Sequence, residues 1–290
     1  MAPGGGVKRC WRKPSRGISA SGISGSGISG SGISGSAVVT SVKLAPGRLR
    51  LVGERRVTSI GRHVGLADVG PDARARLDAL ARIVQDVSDF DAASAPVDAM
   101  GLWILRRLAI DIASTPRFRA EVTARTWCSG VGARWAERTT QLHLGDRLCV
   151  EAIAIWVHTD PERGVPTPLP PGFDAVWGAT AAGRKVTARL RHGAPPSDAR
   201  RRPWSLRATD LDVVGHVNNA AYWAAIEEEL ARRGRPRVRH AEIEFRTGLD
   251  LADAVDVVVA DTDDGFAAWL CVGGDVRASV LVGCESCSTN

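Results

Sequence analysis

The strongest constraint on this chain is an order of segments that occurs twice. Over residues 71–87, Leu77, Leu80, Ala81, Val84 and Val87 recur at helical spacing, which predicts an amphipathic helix. A strand-like run precedes it at 49–60, and four follow at 102–112, 120–128, 135–142 and 148–158, rich in aliphatic residues, Trp and Thr. A Pro-, Gly- and Arg-rich passage then runs to Pro196. After it the order returns: a strand at 204–208, a helix at 218–233, and strands at 238–246, 254–260, 267–272 and 276–282. An isolated amphipathic helix cannot bury its apolar stripe, and a sheet able to wrap it supplies the missing surface. The expectation is an α+β protein with two antiparallel sheets, each wrapping a central helix. Its bounds are 46–160 for the first half, 161–197 for a linker and 198–284 for the second half.

Residues 1–45 read as a disordered low-complexity tail, because a five-residue GISGS-type unit from Gly17 to Ser36 is too polar and Gly-rich to bury a face. A working linker and translation through a simple repeat both account for it. The formal net charge of +6 sits largely in this tail. Within residues 1–36, Lys8, Arg9, Arg12, Lys13 and Arg16 face no acid, and removing these five from 38 basic residues leaves 33 against 32 acidic ones. The folded part is nearly neutral, so no nucleic-acid partner is expected, and Arg200-Arg201-Arg202 reads as a solvated face. No apolar run is long enough for a bilayer span, which takes about 18 residues or more, and no membrane partner is expected. Six scattered cysteines fit reduced thiols in a cytoplasm. Cys284 and Cys287 form one C-x-x-C without a second pair, the other histidines lie apart, and neither metal nor cofactor is expected. The run 261–265, D-T-D-D-G, lacks the spacing of a calcium loop and reads as a hairpin turn.

Chemistry concentrates in T-D-L-D-V-V-G-H-V-N-N-A-A-Y-W, residues 209–223. Gly215 permits a tight turn, and Asn218 or Asn219 can cap the helix that follows. The first-turn N–H groups of that helix carry partial positive charge and are suited to polarise a carbonyl and stabilise an oxyanion.

These residues resemble the hotdog-fold thioesterases, whose signature D-x-D-x-x-G-H-V-N-N-x-x-Y is matched by Asp210, Asp212, Gly215, His216, Val217, Asn218, Asn219 and Tyr222. The two-half layout, with Leu102-Trp103-Ile104 and Thr126-Trp127-Cys128, resembles the acyl-acyl carrier protein thioesterases, in which two hotdog domains are fused. The resemblance implies a tandem (double) hotdog that hydrolyses a fatty acyl thioester of acyl carrier protein or coenzyme A. It implies Asp212 as general base or nucleophile, His216 and Asn218 as its catalytic companions, and Gly215, Val217, Asn219, Tyr222 and Glu228 around the substrate, with Glu228 orienting the site from inside. Val214 departs from the family's Asn, and the downstream Glu-Cys pair falls on Gly248 and Leu249. Two alternatives stay open: a non-catalytic acyl-thioester-binding protein and an enoyl-thioester hydratase. The first half, without a D-x-x-G-H counterpart, is expected to be non-catalytic. Trp103, Trp127, Trp135 and Trp156 are expected to fill the core rather than line a cavity, and the chain to be a monomer or homodimer.

Overall fold

The computed structural model describes residues 48–52, 55–95 and 102–285. The low-complexity tail and Cys287 lie outside the described residues. The strands are β1 (Arg48–Val52), β2 (Arg55–His63), β3 (Leu102–Ile112), β4 (Glu121–Val131), β5 (Trp135–Leu144), β6 (Arg147–Thr159), β7 (Arg200–Trp204), β8 (Val238–Phe245), β9 (Val255–Thr262), β10 (Gly265–Val272) and β11 (Asp275–Cys284). Helix α1 (Leu77–Ala93) follows β2, a π-helical turn and the short α2 (Ala179–Ala181) follow β6, and α3 (Tyr222–Arg232) follows β7.

All the strands join one antiparallel sheet in the order β1-β2-β4-β5-β6-β3-β8-β11-β10-β9-β7. Leaving β1 aside, each half has the same internal order. Its first strand lies outermost, the third, fourth and fifth follow, and the second (β3 or β8) lies innermost. The expected two sheets are therefore one. β3 and β8 would each be an unpaired edge, and they satisfy one another from Arg107↔Glu244 to Asp111↔His240, which removes two exposed rows of backbone donors and acceptors.

Residues alternate across this sheet with the period of a strand. Val255, Val257 and Val259 of β9 and Phe266, Ala268 and Leu270 of β10 join the main core, while Val258, Ala267, Trp269 and Cys271 form a separate cluster. The main core takes Leu80, Ile83, Val84 and Val87 from α1 together with Trp223, Ile226 and Leu230 from α3. Both helices thus share one core on one face. On the other face runs the later part of the connecting segment, residues 186–193, which is more than a spacer. Trp135 Nε1 donates to Val186 O at 2.9 Å, Trp269 Nε1 to Gly193 O at 2.9 Å, and the N–H groups of Arg191 and His192 to the Glu244 carboxylate at 2.6 and 3.0 Å.

Several boundaries differ from expectation for local reasons. The run at 49–60 is a hairpin, β1 with β2. Helix α1 begins at Leu77 rather than 71 because Ala73 is left-handed (φ 59°) and Arg76 N–H donates to Asp68 O. Helix α3 begins at Tyr222 because Asn218 spends its oxygens on a turn, Oδ1 accepting from Ala220 N–H and O from Ala221 N–H. β7 lies at Arg200–Trp204, antiparallel to Val259–Val255. Its arginines are ion-paired rather than a free basic face: Arg200 with Asp261 at 3.0 Å, Arg201 with Asp256 at 2.8 Å and Arg202 with Glu229 at 2.5 Å. The D-T-D-D-G run turns between β9 and β10, as expected.

The C-terminal end of α1 is fixed by a buried charge. Asp91, 1 % exposed, accepts from Arg56 Nε at 2.8 Å, Thr58 Oγ1 at 2.5 Å and Trp177 Nε1 at 2.8 Å, and pairs with Arg138 at 2.8 Å. Burial alone would raise its pKa, but Arg138, Thr58, Trp177 and Arg56 hold it below the ordinary 3.8. A depressed folded-state pKa contributes stability that is complete above the unfolded value and is lost as pH falls through the folded one. Asp91→Asn strands two buried guanidinium groups and is expected to lower unfolding free energy by roughly 3–5 kcal/mol. Urea unfolding at pH 7 checks this, and the variant should lose less stability than the parent between pH 5 and pH 3.

Candidate active site at the start of helix α3

Between β7 and α3 the chain makes a narrow-necked loop. Leu211 and Val217 form an antiparallel bridge, Asp212 N–H donates to His216 O at 2.9 Å, and Gly215 N–H closes the turn on Asp212 O at 3.0 Å. Gly215 has φ +86°, a conformation that strains a residue with a Cβ. The Asp212 carboxylate sits in the neck, half-buried. Its Oδ1 accepts from the N–H of Val214 at 2.9 Å and of His216 at 3.2 Å, while Oδ2 accepts no hydrogen bond among the described residues. One oxygen is anchored by backbone and the other is available to a water or a carbonyl.

The remaining sequence-predicted residues divide. His216 is exposed at the loop tip beside Val214. Val217 is buried in the core. Asn218 is a turn-former, its N–H on Asp210 O at 2.8 Å and its side chain on Ala220 N–H. Tyr222 is buried edge-on against Phe245, 5.1 Å between ring centroids, and its hydroxyl oxygen accepts from Leu249 N–H at 2.9 Å. Burial pushes its pKa up to about 12, so it stays a neutral phenol and a structural anchor. Gly248, on which the Glu of the expected Glu-Cys pair falls, has no side chain to offer, and Leu249 contributes its backbone N–H to the Tyr222 hydroxyl. Glu228 is a correction: it faces solvent, 3.8 Å from Arg232. The turn of the helix directs Glu227 inward instead, where its Oε1 accepts from Leu77 N–H at the start of α1 at 2.6 Å.

Asn219 has a different setting. It borders a narrow crevice with Ala81, Val84 and Gln85 of α1, Leu105 of β3 and Trp156 of β6, a space of about 10 Å³ that admits one water-sized group. The cleft is apolar and lies on the first half, at the start of α3. Among the described residues the Asn219 N–H has no partner, and the buried indole N–H of Trp156 has none either. Trp156 packs against the main core, as expected, with one edge on this crevice, whereas Trp103 packs beside Phe173 and Trp135 lies under the connecting segment. Sequence reasoning missed Gln85. The signal was a polar residue at i, i+1 and i+4 from Val84 and Ala81 on an otherwise apolar stripe.

The loop backbone is repeated in the first half. Val69 and Ala75 form the matching bridge, Gly70 N–H donates to Arg74 O at 2.9 Å, Ala73 N–H to Gly70 O at 2.9 Å, and Arg76 N–H to Asp68 O at 2.9 Å. In this alignment Gly70 replaces Asp212, Arg74 replaces His216 and Arg76 replaces Asn218. Arg76 is committed to Asp78, Val69 O and Ala67 O. The loop of the first half therefore has Gly70 where that of the second half has the Asp212 carboxylate.

On the opposite face His192, Glu242 and Glu244 come close enough to share an ion, the one such group among the described residues. Their lone pairs are already engaged. His192 Nε2 lies 3.0 Å from Glu242 Oε1, Nδ1 lies 3.1 Å from Ser279 Oγ, and Glu244 takes the two N–H groups of the connecting segment. The cluster works as a strap holding that segment to the sheet.

Two family models match the chain: the acyl-ACP thioesterase N-terminal domain over residues 62–175 and the acyl-ACP thioesterase C-terminal domain over 193–267. An uncharacterized protein of Mycobacterium tuberculosis is 26% identical over 228 residues, covering 78% of this chain and 91% of the relative. Among solved structures, an acyl-ACP thioesterase from Bacteroides thetaiotaomicron superposes with a TM-score of 0.69 at 17% identity, covering 79% of this chain and 98% of its own. The 12:0-ACP thioesterase from Umbellularia californica gives 0.68 at 17%, covering 81% and 98%. The chain has the fold of these proteins. No helix among the described residues is long and apolar enough to cross a membrane.

Removing the Tyr222 hydroxyl leaves the Leu249 N–H buried without an acceptor, a loss worth about 1–3 kcal/mol. Tyr222→Phe is therefore expected to lower the urea midpoint accordingly. Circular dichroism melts and denaturant titration check it.

Proposed function

We infer from the acyl-ACP thioesterase family, to which this chain belongs, that its reaction is hydrolysis of a fatty acyl thioester to free acid and thiol. The observation that carries the assignment to this site is the half-free carboxylate of Asp212 in a loop that leads, seven residues on, to the unpartnered turn N–H of Asn219 beside a narrow apolar crevice. In the reading proposed, the thioester carbonyl lies beside the turn that leads into α3, with the acyl chain directed along the apolar wall of the first half. Asp212 Oδ2 takes a proton from water. The hydroxide adds to the carbonyl carbon, and the oxyanion is held by the Asn219 amide. Collapse breaks the carbon–sulfur bond, and the thiolate leaves without needing a strong acid. His216, at the exposed tip, is positioned to meet the carrier end of the substrate and to orient the water. Tyr222 and Val217 fix the loop, and Gly215 allows its turn.

The identical strand order of the two halves, each with its own helix, supports the finer description of a double hotdog with halves at 46–160 and 198–284 joined by the segment 161–197. One catalytic loop per chain follows from Gly70 in the first half. The β3–β8 contact gives each half its partner within one chain, which supports a monomer, and the scattered cysteines, with Cys128, Cys149 and Cys271 buried as free thiols, support a cytoplasmic setting. Acyl carrier protein and coenzyme A both remain as carriers.

The test is release of free thiol from acyl-ACP and acyl-CoA thioesters of graded chain length. Turnover on at least one of them is expected, with kcat reduced by roughly 10²–10⁴-fold in Asp212→Asn. Tight acyl-CoA binding without thiol release would favour a binding protein, and loss of an enoyl chromophore without thiol release would favour a hydratase.

A further inference from the structure

The two halves carry the same loop and the same helix, so a contact seen in one reads out the geometry of the other. Aligning the loops through their bridges, Val69–Ala75 with Leu211–Val217, places Leu77 opposite Asn219. Continuing the alignment along the helices places Glu227 of α3 in the role that Gln85 of α1 has toward the other loop. In the half without a carboxylate the two positions are bonded: Leu77 N–H donates to Glu227 Oε1 at 2.6 Å. A carboxyl oxygen from the other half's helix thus occupies the amide at the start of α1. In the half with Asp212 the corresponding amide, Asn219 N–H, is unpartnered among the described residues, and the residue at the position matching Glu227, on the border of the same crevice, is the neutral Gln85.

We propose that Gln85 is a catalytic residue: its side-chain N–H, with the N–H of Asn219, forms a two-donor hole for the thioester carbonyl oxygen, while Glu227 plugs the equivalent hole of the first half with its own oxygen. This rests on the hydrolytic reading above. The oxygen of the tetrahedral intermediate takes the place that Glu227 Oε1 has beside Leu77. A glutamate at 85 would fill the hole itself and set a second negative charge near Asp212. A glutamine leaves it open and adds a donor, because an amide carries both N–H and C=O. The substitution of one atom between otherwise matching positions therefore separates an occupied site from an open one. Each hole takes one donor or acceptor from the opposite half, so the halves are joined chemically as well as structurally.

The experiment compares the full chain with Gln85→Met, which keeps the side chain's length, and Gln85→Glu, with thermal melting to establish that both fold. On the best thioester of the panel, Gln85→Met is expected to lower kcat by roughly 10²-fold, the size of losing one oxyanion donor, with KM nearly unchanged. Gln85→Glu is expected to fall further, because the new carboxylate competes for Asn219 N–H. A second readout needs no turnover: an acyl-CoA analogue with methylene in place of the thioester sulfur, whose bound ketone stretch is followed by infrared difference spectroscopy. A lower carbonyl frequency in the parent than in Gln85→Met is expected. Equal kcat and equal carbonyl frequency in the parent and Gln85→Met overturn the assignment. A parent that turns over no thioester overturns the hydrolytic reading instead, and the ketone band still decides whether Gln85 donates to the carbonyl.

Discussion

The pairing of β3 with β8 is the constraint from which the rest follows. Strand-to-strand hydrogen bonding fixes the two halves back to back. With both helices on one face, that pairing brings α1 and α3 into a single apolar core. The approach to each helix then lies beside the flank of the other: Leu77 at Glu227, and Asn219, in the turn before α3, in the crevice with Ala81, Val84 and Gln85. The site is a property of the junction. Neither half alone supplies both the carboxylate loop and the cleft wall.

The same arrangement explains why two copies of one loop have different fates. Loop geometry depends on backbone hydrogen bonds that most side chains tolerate, so the first half keeps the turn with Ala73 at φ 59° where the second has Gly215. Reactivity depends on a few side chains, and there the halves diverge: Gly70 against Asp212, Glu227 against Gln85. Divergence at these positions leaves packing untouched, since each faces a loop or a cleft rather than the interior of the core.

Much of the fold was legible in the sequence because helical and strand periodicities are direct consequences of burial. The helix containing Leu80, Val84 and Val87, the repeated order and the 261–265 hairpin all follow from that. Boundaries were less legible where backbone chemistry overrides pattern, as at Ala73, Asn218 and the start of β7. The union of two sheets into one was not legible, because an innermost strand such as β8 carries the same alternation whether its neighbour is water or another strand. Within the site, the Asp212 loop could be read from its motif, whereas Glu227, Gln85 and Trp156 act through contacts 100 residues or more apart in places, such as Leu77 to Glu227, |i−j| = 150. The inward assignment of Glu228 failed by one position, a rotation of about 100° on a helix of 3.6 residues per turn.

The outer margin of the second half ends at β7, a strand of five residues with Pro203 in it and with Arg200, Arg201 and Arg202 held by acidic partners. Proline has no N–H to offer, and guanidinium groups in rows resist being desolvated by an incoming neighbour. That border therefore refuses ribbon-to-ribbon growth, and a long eleven-stranded surface that would otherwise template stacking of further molecules is closed at this side by its own chemistry.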